Sequence, residues 1–166
     1  LVQRTFKHVD VLANNAGYGY FISADMIDVA KYRDMLEVNV IGLATLTKLL
    51  LPSMKKRKRG LIINTASITG RPPVLPWSEF YAATKFAVMG WSDGLRAELR
   101  PFGIGVSTIC PGVVDTAFFT PQELARRRKI KIMPSFLKPE YVAEVIWFVA
   151  NQSLGVAIED ITIRAI

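Results

Sequence analysis

The chain has 166 residues, 51% of them apolar, with a formal net charge of +7. That apolar share supports one packed domain and excludes a disordered chain. A single cysteine, Cys110, excludes a disulfide framework and a cysteine metal site, and a single histidine, His8, argues against histidine-based hydrolysis or a zinc centre.

In chain order, Val9–Ala13 reads as a short apolar strand ending in the loop Asn14-Asn15-Ala16-Gly17. Residues from about Asp28 to Arg59 follow a helical pattern, with a kink expected around Asn39 and an interruption at Pro52. Gly60 is expected to cap that helix, and Leu61–Thr65 is the next strand. Arg71-Pro72-Pro73-Val74-Leu75-Pro76 is a loop, since three prolines forbid regular structure. Ser78 is placed to cap a helix from Glu79 to Leu99, which must stop before Pro101. Ile104–Ile109 is a strand, Phe118–Lys138 irregular or weakly helical, Pro139–Ala150 an amphipathic helix ending near Asn151, and Val156–Ile163 a last strand. Alternating strands and helices point to an α/β fold with a parallel sheet.

No uninterrupted apolar run reaches the ~18 residues of a membrane span: Lys48 breaks Leu43–Leu51 and Glu144 breaks Val142–Ala150. No membrane partner is expected, and the cysteine usage fits a reducing, cytoplasmic setting. Two basic clusters, Lys55–Arg59 and Arg126–Lys129 with Lys131, raise a nucleic-acid reading. The first ends a helix, where cations complement the carbonyl end of the dipole. The second reads as a solvated run, the alternative being a surface for an acidic group. No nucleic-acid partner is expected.

Tyr81 and Lys85, four residues apart in Tyr81-Ala82-Ala83-Thr84-Lys85, share one helix face. A phenol titrates near ~10 and exchanges protons poorly at neutral pH; a neighbouring ammonium favours the phenolate. The pair is an acid–base unit for a carbonyl or alcohol oxygen. Such a pair arises by chance often enough to need company, and it has company in a fixed order. Asn14-Asn15-Ala16-Gly17 comes first, then Asn39-Val40-Ile41-Gly42, then Ser67 in Asn64-Thr65-Ala66-Ser67-Ile68-Thr69-Gly70. Tyr81 and Lys85 follow, and Pro111-Gly112-Val113-Val114-Asp115-Thr116 comes last.

This order resembles the short-chain dehydrogenase/reductase family, in its form with an Asn-Ser-Tyr-Lys catalytic set, from about Val9 to the C-terminus. The resemblance implies a Rossmann-like, doubly wound parallel sheet and a nicotinamide cofactor, NAD or NADP. It also implies a small carbonyl or alcohol substrate and pairing of chains into a homodimer or homotetramer, with Glu79–Leu99 and Pro139–Ala150 as candidate contact helices. One departure is large: no G-x-G-x-x-G is present, and the sequence looks like a single partial domain over residues 1–166 that lacks the family's N-terminal third. An isolated fragment of that kind is expected to bind cofactor poorly. A non-catalytic remnant serving as a binding or interaction module stays open as the alternative.

By the same resemblance, Tyr81 is the general acid/base, and Lys85 lowers its pKa and holds the nicotinamide ribose. Ser67 bonds the substrate oxygen, and Asn39 helps hold a water that relays protons to the lysine. Asn14, Ala16 and Gly17 line the adenosine side of the cofactor and brace the sheet. Pro111 and Gly112 pass close to the nicotinamide, and Val114 and Thr116 hold its carboxamide. Phe118, Phe119 and Phe136, in the variable substrate segment, are expected to form an apolar substrate surface.

Overall fold

The computed structural model describes residues 5–129, 135–153 and 155–166. The strands β1 (Val11–Asn14), β2 (Gly60–Thr65), β3 (Ile104–Pro111) and β4 (Asp160–Ile163) form one sheet in the order β1-β2-β3-β4. All three pairings are parallel. The helices are α1 (Val29–Leu36), α2 (Leu43–Arg57), α3 (Glu79–Leu99), α4 (Pro121–Lys129) and α5 (Pro139–Ala150).

Alternation along the strands sends side chains to opposite faces, and both faces are covered, as buried parallel sheets require. Leu12, Ile62, Ile104 and Val106 pack against Met54 of α2 and Leu95 and Leu99 of α3. Leu61, Ile63, Ile109 and Ile161 pack against Val145, Ile146 and Val149 of α5 on the other face. The sheet is therefore doubly wound, as expected. At its β1 edge the cover thins, and Val11 is 39% exposed.

The expected kink at Asn39 takes the form of a π-helical segment, Glu37–Gly42, between α1 and α2. Pro52 does not interrupt α2 as the sequence led us to expect; the helix runs through it, giving up only the bond that the missing N–H would have made. Gly60 is not the helix cap either. Lys58 takes the left-handed cap conformation at φ 50°, and Gly60 opens β2. There a Cβ would lie 2.7 Å from Met54 Sδ, so close packing on α2 is what excludes a side chain. Ser78 occupies the position before α3, but its side chain does not cap the helix; instead Glu79 Oε1 accepts from the Trp77 amide at 3.1 Å. Lys55 pairs with Glu98 at 2.6 Å and Arg57 with Asp10 at 2.7 Å, so part of the first basic cluster is neutralised within the chain.

Val29–Arg57 as one helical stretch is long and apolar enough, by length and composition, to cross a membrane. Here it lies along the sheet and buries Met35, Asn39, Leu43, Thr47 and Met54. The expected irregular segment after Phe118 contains α4, and the last strand is shorter than expected, starting at Asp160. Arg96 of α3 ties the far end of the sheet together. It donates to Val106 O at 3.1 Å, Thr108 Oγ1 at 2.6 Å and Asp160 Oδ1 at 2.8 Å.

Candidate active site

Parallel strands end together, and the loops that leave their carboxyl ends enclose a cavity of about 350 Å³. Gly17 enters from the loop after β1, Thr65 and Ser67 from the end of β2, and Pro111, Gly112, Val114 and Thr116 from the end of β3. Tyr81 and Lys85 reach it from the first two turns of α3.

Ser67 stands in extended backbone just beyond β2. Its Oγ accepts from the Thr69 amide at 3.1 Å and from the Thr69 hydroxyl at 2.9 Å. That leaves its own hydroxyl proton free for an acceptor in the cavity, which Tyr81 also lines. Lys85 Nζ donates to Thr65 O at 2.9 Å and lies 5.7 Å from the centre of the Tyr81 ring. The three side chains are brought together, and each is buried, with exposures of 8% for Ser67, 7% for Tyr81 and 4% for Lys85.

Burial decides their electrostatics. It holds the Tyr81 phenol far above the ordinary tyrosine range, with Ser67 opposing. It lowers Lys85 from 10.5 to about 8, with the field of Cys110 opposing. The expectation that Lys85 makes Tyr81 more acidic is therefore corrected. The ammonium sits against the ring and spends its hydrogen bond on Thr65, so desolvation of the phenol prevails.

Asn39 stands behind this group. Its Nδ2 donates to Tyr18 O at 2.9 Å and to Thr84 Oγ1 at 3.1 Å, and its Oδ1 accepts from Tyr18 N at 3.0 Å. Thr84 is the residue before Lys85, so Asn39 fixes the loop after β1 against the helix that carries Tyr81 and Lys85. Gly17 fits between them: a Cβ there would lie 3.0 Å from Asn39 Oδ1 and 3.6 Å from Lys85 Nζ.

Asn14 does not line the cavity. Its Nδ2 donates to Asn64 Oδ1 at 2.9 Å, and Asn64 Nδ2 donates to Ser92 Oγ at 2.9 Å, a buried chain that braces β1, β2 and α3. Ala16 is exposed and outside the lining. Phe118 and Phe119 line the cavity as expected, whereas Phe136 does not. The side chains of Arg126–Lys129, and Lys131, lie outside the described residues. Sequence reasoning missed Phe21, Leu75 and the α5 residues Val142 and Ile146. None stands in a motif; only the tertiary fold brings them here.

The family profile described as short chain dehydrogenase matches residues 1–127. The chain belongs to the short-chain dehydrogenase family. An uncharacterised oxidoreductase of Staphylococcus aureus strain MRSA252 is 34% identical over 168 residues, covering 100% of this chain and 68% of its own. A rat dehydrogenase/reductase, SDR family member 7B, is 43% identical over 117 residues, covering 69% of this chain and 35% of its own. Among solved structures, an alcohol dehydrogenase of the archaeon Thermococcus sibiricus, complexed with 5-hydroxy-NADP, superposes with a TM-score of 0.82 at 28% identity. That match covers 98% of this chain and 66% of the dehydrogenase. The closed form of a serine dehydrogenase complexed with NADP+ gives 0.84 at 30% identity, covering 94% of this chain and 64% of its own. The short-chain dehydrogenase chain described here thus spans about two thirds of the length of these full-length matches.

Proposed function

We propose that the protein is an NAD(P)-dependent oxidoreductase that interconverts a carbonyl compound and an alcohol. The observation that carries this reading is that Tyr81, Ser67 and Lys85 are all buried and all line one cavity at the strand ends, with the Lys85 ammonium 5.7 Å from the centre of the Tyr81 ring. Tyr81 gives its proton to the carbonyl oxygen in reduction and takes it back in oxidation. Ser67 donates to the same oxygen as negative charge develops there, and Thr69 holds Ser67 in the orientation to do so. Lys85, fixed by Thr65, keeps positive charge next to the phenol and offers further N–H donors to ribose hydroxyls.

The cavity fits the nicotinamide half of the cofactor. Gly17 and Gly112 bring backbone without side chains to its lining, and Val114 and Thr116, which also line it, would hold the carboxamide. Asn39 braces the loop that carries Gly17 through its bonds to Tyr18, and Asn14 braces β1 against β2 through Asn64. The 166 residues contain no glycine-rich phosphate turn. A nicotinamide held in the cavity would supply or accept the hydride. The NADP-bound dehydrogenases that share this fold make NADP the first cofactor to test. Exposed apolar side chains on α2 and α3, Leu46, Leu49 and Trp91, support pairing of chains, and buried, unpaired Cys110 supports a cytoplasmic setting.

The test is carbonyl-dependent consumption of NADPH or NADH, followed by nicotinamide absorbance across a panel of ketones and aldehydes. Turnover of at least one supports the reading. No turnover with either nucleotide, in a protein that binds the nucleotide, overturns it.

A further inference from the structure

Two phenylalanines meet the Tyr81 ring, and a third packs on both of them. Phe21 lies 5.2 Å from the Tyr81 ring and Phe118 5.5 Å, centre to centre, and Phe119 lies 5.1 Å from Phe118 and 5.0 Å from Phe21. The rings meet tilted or edge to face, the attractive geometries for aromatic groups. A neighbouring residue is shaped to admit them. A Cβ on Gly19 would lie 2.4 Å from Phe21 Cε2 and 2.9 Å from Phe118 Cζ, so glycine there makes room for both rings. Leu75, Val142 and Ile146 continue the apolar wall from other elements.

Charge is scarce in the same space. Among the described residues, Lys85 is the one charged side chain lining the cavity, and it is bonded to Thr65. A carboxylate or phosphate on the substrate would lose its water and find, among the described residues, no cation in the lining besides Lys85. Size narrows the choice further. About 350 Å³ is at the small end of ligand cavities (~300–1,000 Å³), and a nicotinamide takes part of it.

We propose that the substrate is an uncharged ketone, or the matching secondary alcohol, carrying a single aromatic or alicyclic ring that packs against Phe21, Phe118 and Phe119. This rests on the oxidoreductase reading above. In reduction the carbonyl π bond breaks, its carbon gains the hydride of the reduced nicotinamide, and its oxygen gains the Tyr81 proton. The ring packs on the aromatic wall while the oxygen reaches Ser67 and Tyr81 at the polar end.

The test compares acetophenone and cyclohexanone with acetone, which lacks the ring, and with phenylglyoxylate, which keeps the ring and adds a carboxylate. Ring ketones are expected to exceed acetone in kcat/KM by about tenfold or more, and phenylglyoxylate to fall about 100-fold below acetophenone. Phe118→Leu is expected to reduce the acetophenone-to-acetone ratio about 3- to 10-fold; Leu75→Ala, on a loop, provides the same readout if the first variant does not fold. Equal or better turnover of phenylglyoxylate, or an acetophenone-to-acetone ratio unchanged in both variants, overturns the proposal. Acetophenone binding is measured separately by ligand-observed NMR. Binding without turnover supports this substrate class and overturns the oxidoreductase reading. Acetone turnover without acetophenone binding does the reverse.

Discussion

Lys85 Nζ donates a 2.9 Å hydrogen bond to the carbonyl oxygen of Thr65, tying the second turn of α3 to the last residue of β2. A neutral carbonyl, not a carboxylate, is its acceptor. No carboxylate among the described residues pairs with the amine, and the field of Cys110 only partly offsets its burial, which lowers Lys85 to about 8. The same bond holds the ammonium 5.7 Å from the centre of the Tyr81 ring.

Stability should therefore rise with pH through this lysine. Below about pH 8 the amine is charged in folded and unfolded chains alike, and folding bears the full burial cost. Between about 8 and its ordinary value of 10.5 the folded chain has shed a proton that the unfolded chain still holds, so the cost shrinks. Replacing Lys85 with Met removes this term. Denaturant unfolding should show the stability difference, Lys85→Met minus wild type, falling by about 2 kcal/mol between pH 7.5 and 9.5; a constant difference would contradict it.

Reduction and oxidation should differ in pH dependence. Burial keeps the Tyr81 phenol protonated well above the ordinary range. A proton is then available for carbonyl reduction throughout neutral pH, whereas alcohol oxidation needs the scarce phenolate. Profiles of kcat/KM are expected to be flat for reduction around neutrality and to climb about tenfold per pH unit for oxidation. A flat oxidation profile would place the phenol's titration elsewhere.

Thr69 acts through Ser67. Its hydroxyl donates to Ser67 Oγ at 2.9 Å, which leaves the serine proton free for the substrate oxygen. Thr69→Val keeps the shape and removes the donor. We expect kcat to fall about 3- to 10-fold, the worth of roughly one neutral hydrogen bond, with KM little changed. Thr69→Ser should restore most of the rate. Equal loss in both variants would point to packing instead.

Gly17 has no spare space. Its replacement by Ala puts a methyl 3.0 Å from Asn39 Oδ1, which must shift by a few tenths of an ångström and drag on Tyr18 and Thr84. Expected are a loss of about 1 kcal/mol in stability and about tenfold in kcat/KM. Gly17→Val should exceed both. Unfolding curves and steady-state kinetics on the same samples check this.

The candidate acid–base residues are more legible in the sequence than the residues that surround them. Tyr81 and Lys85 share a helix face and Ser67 follows an apolar strand, local properties that a sequence displays, and the ordered company of the other motifs is what singles them out. Asn39 stood out as a poor helix former in a helix, and the π-helical segment there gives that misfit a place. What the sequence could not convey was contact between distant elements. Asn14 reads as a loop asparagine, yet it is consumed in a buried chain with Asn64 and Ser92. Phe21 and Leu75 sit in unremarkable stretches and become cavity wall only when the loops fold over the strand ends. Pro52 shows the opposite error, a local rule overridden by a helix anchored at both ends through Leu43 and Met54.

The most direct test of the account is Tyr81→Phe, which removes one oxygen and keeps the ring that packs on Phe21 and Phe118. Turnover of a ketone by this variant and its affinity for NADPH are measured side by side. The account predicts at least a 100-fold loss of kcat, with NADPH bound within a fewfold of wild type. Turnover that survives the loss of the phenol oxygen would contradict it.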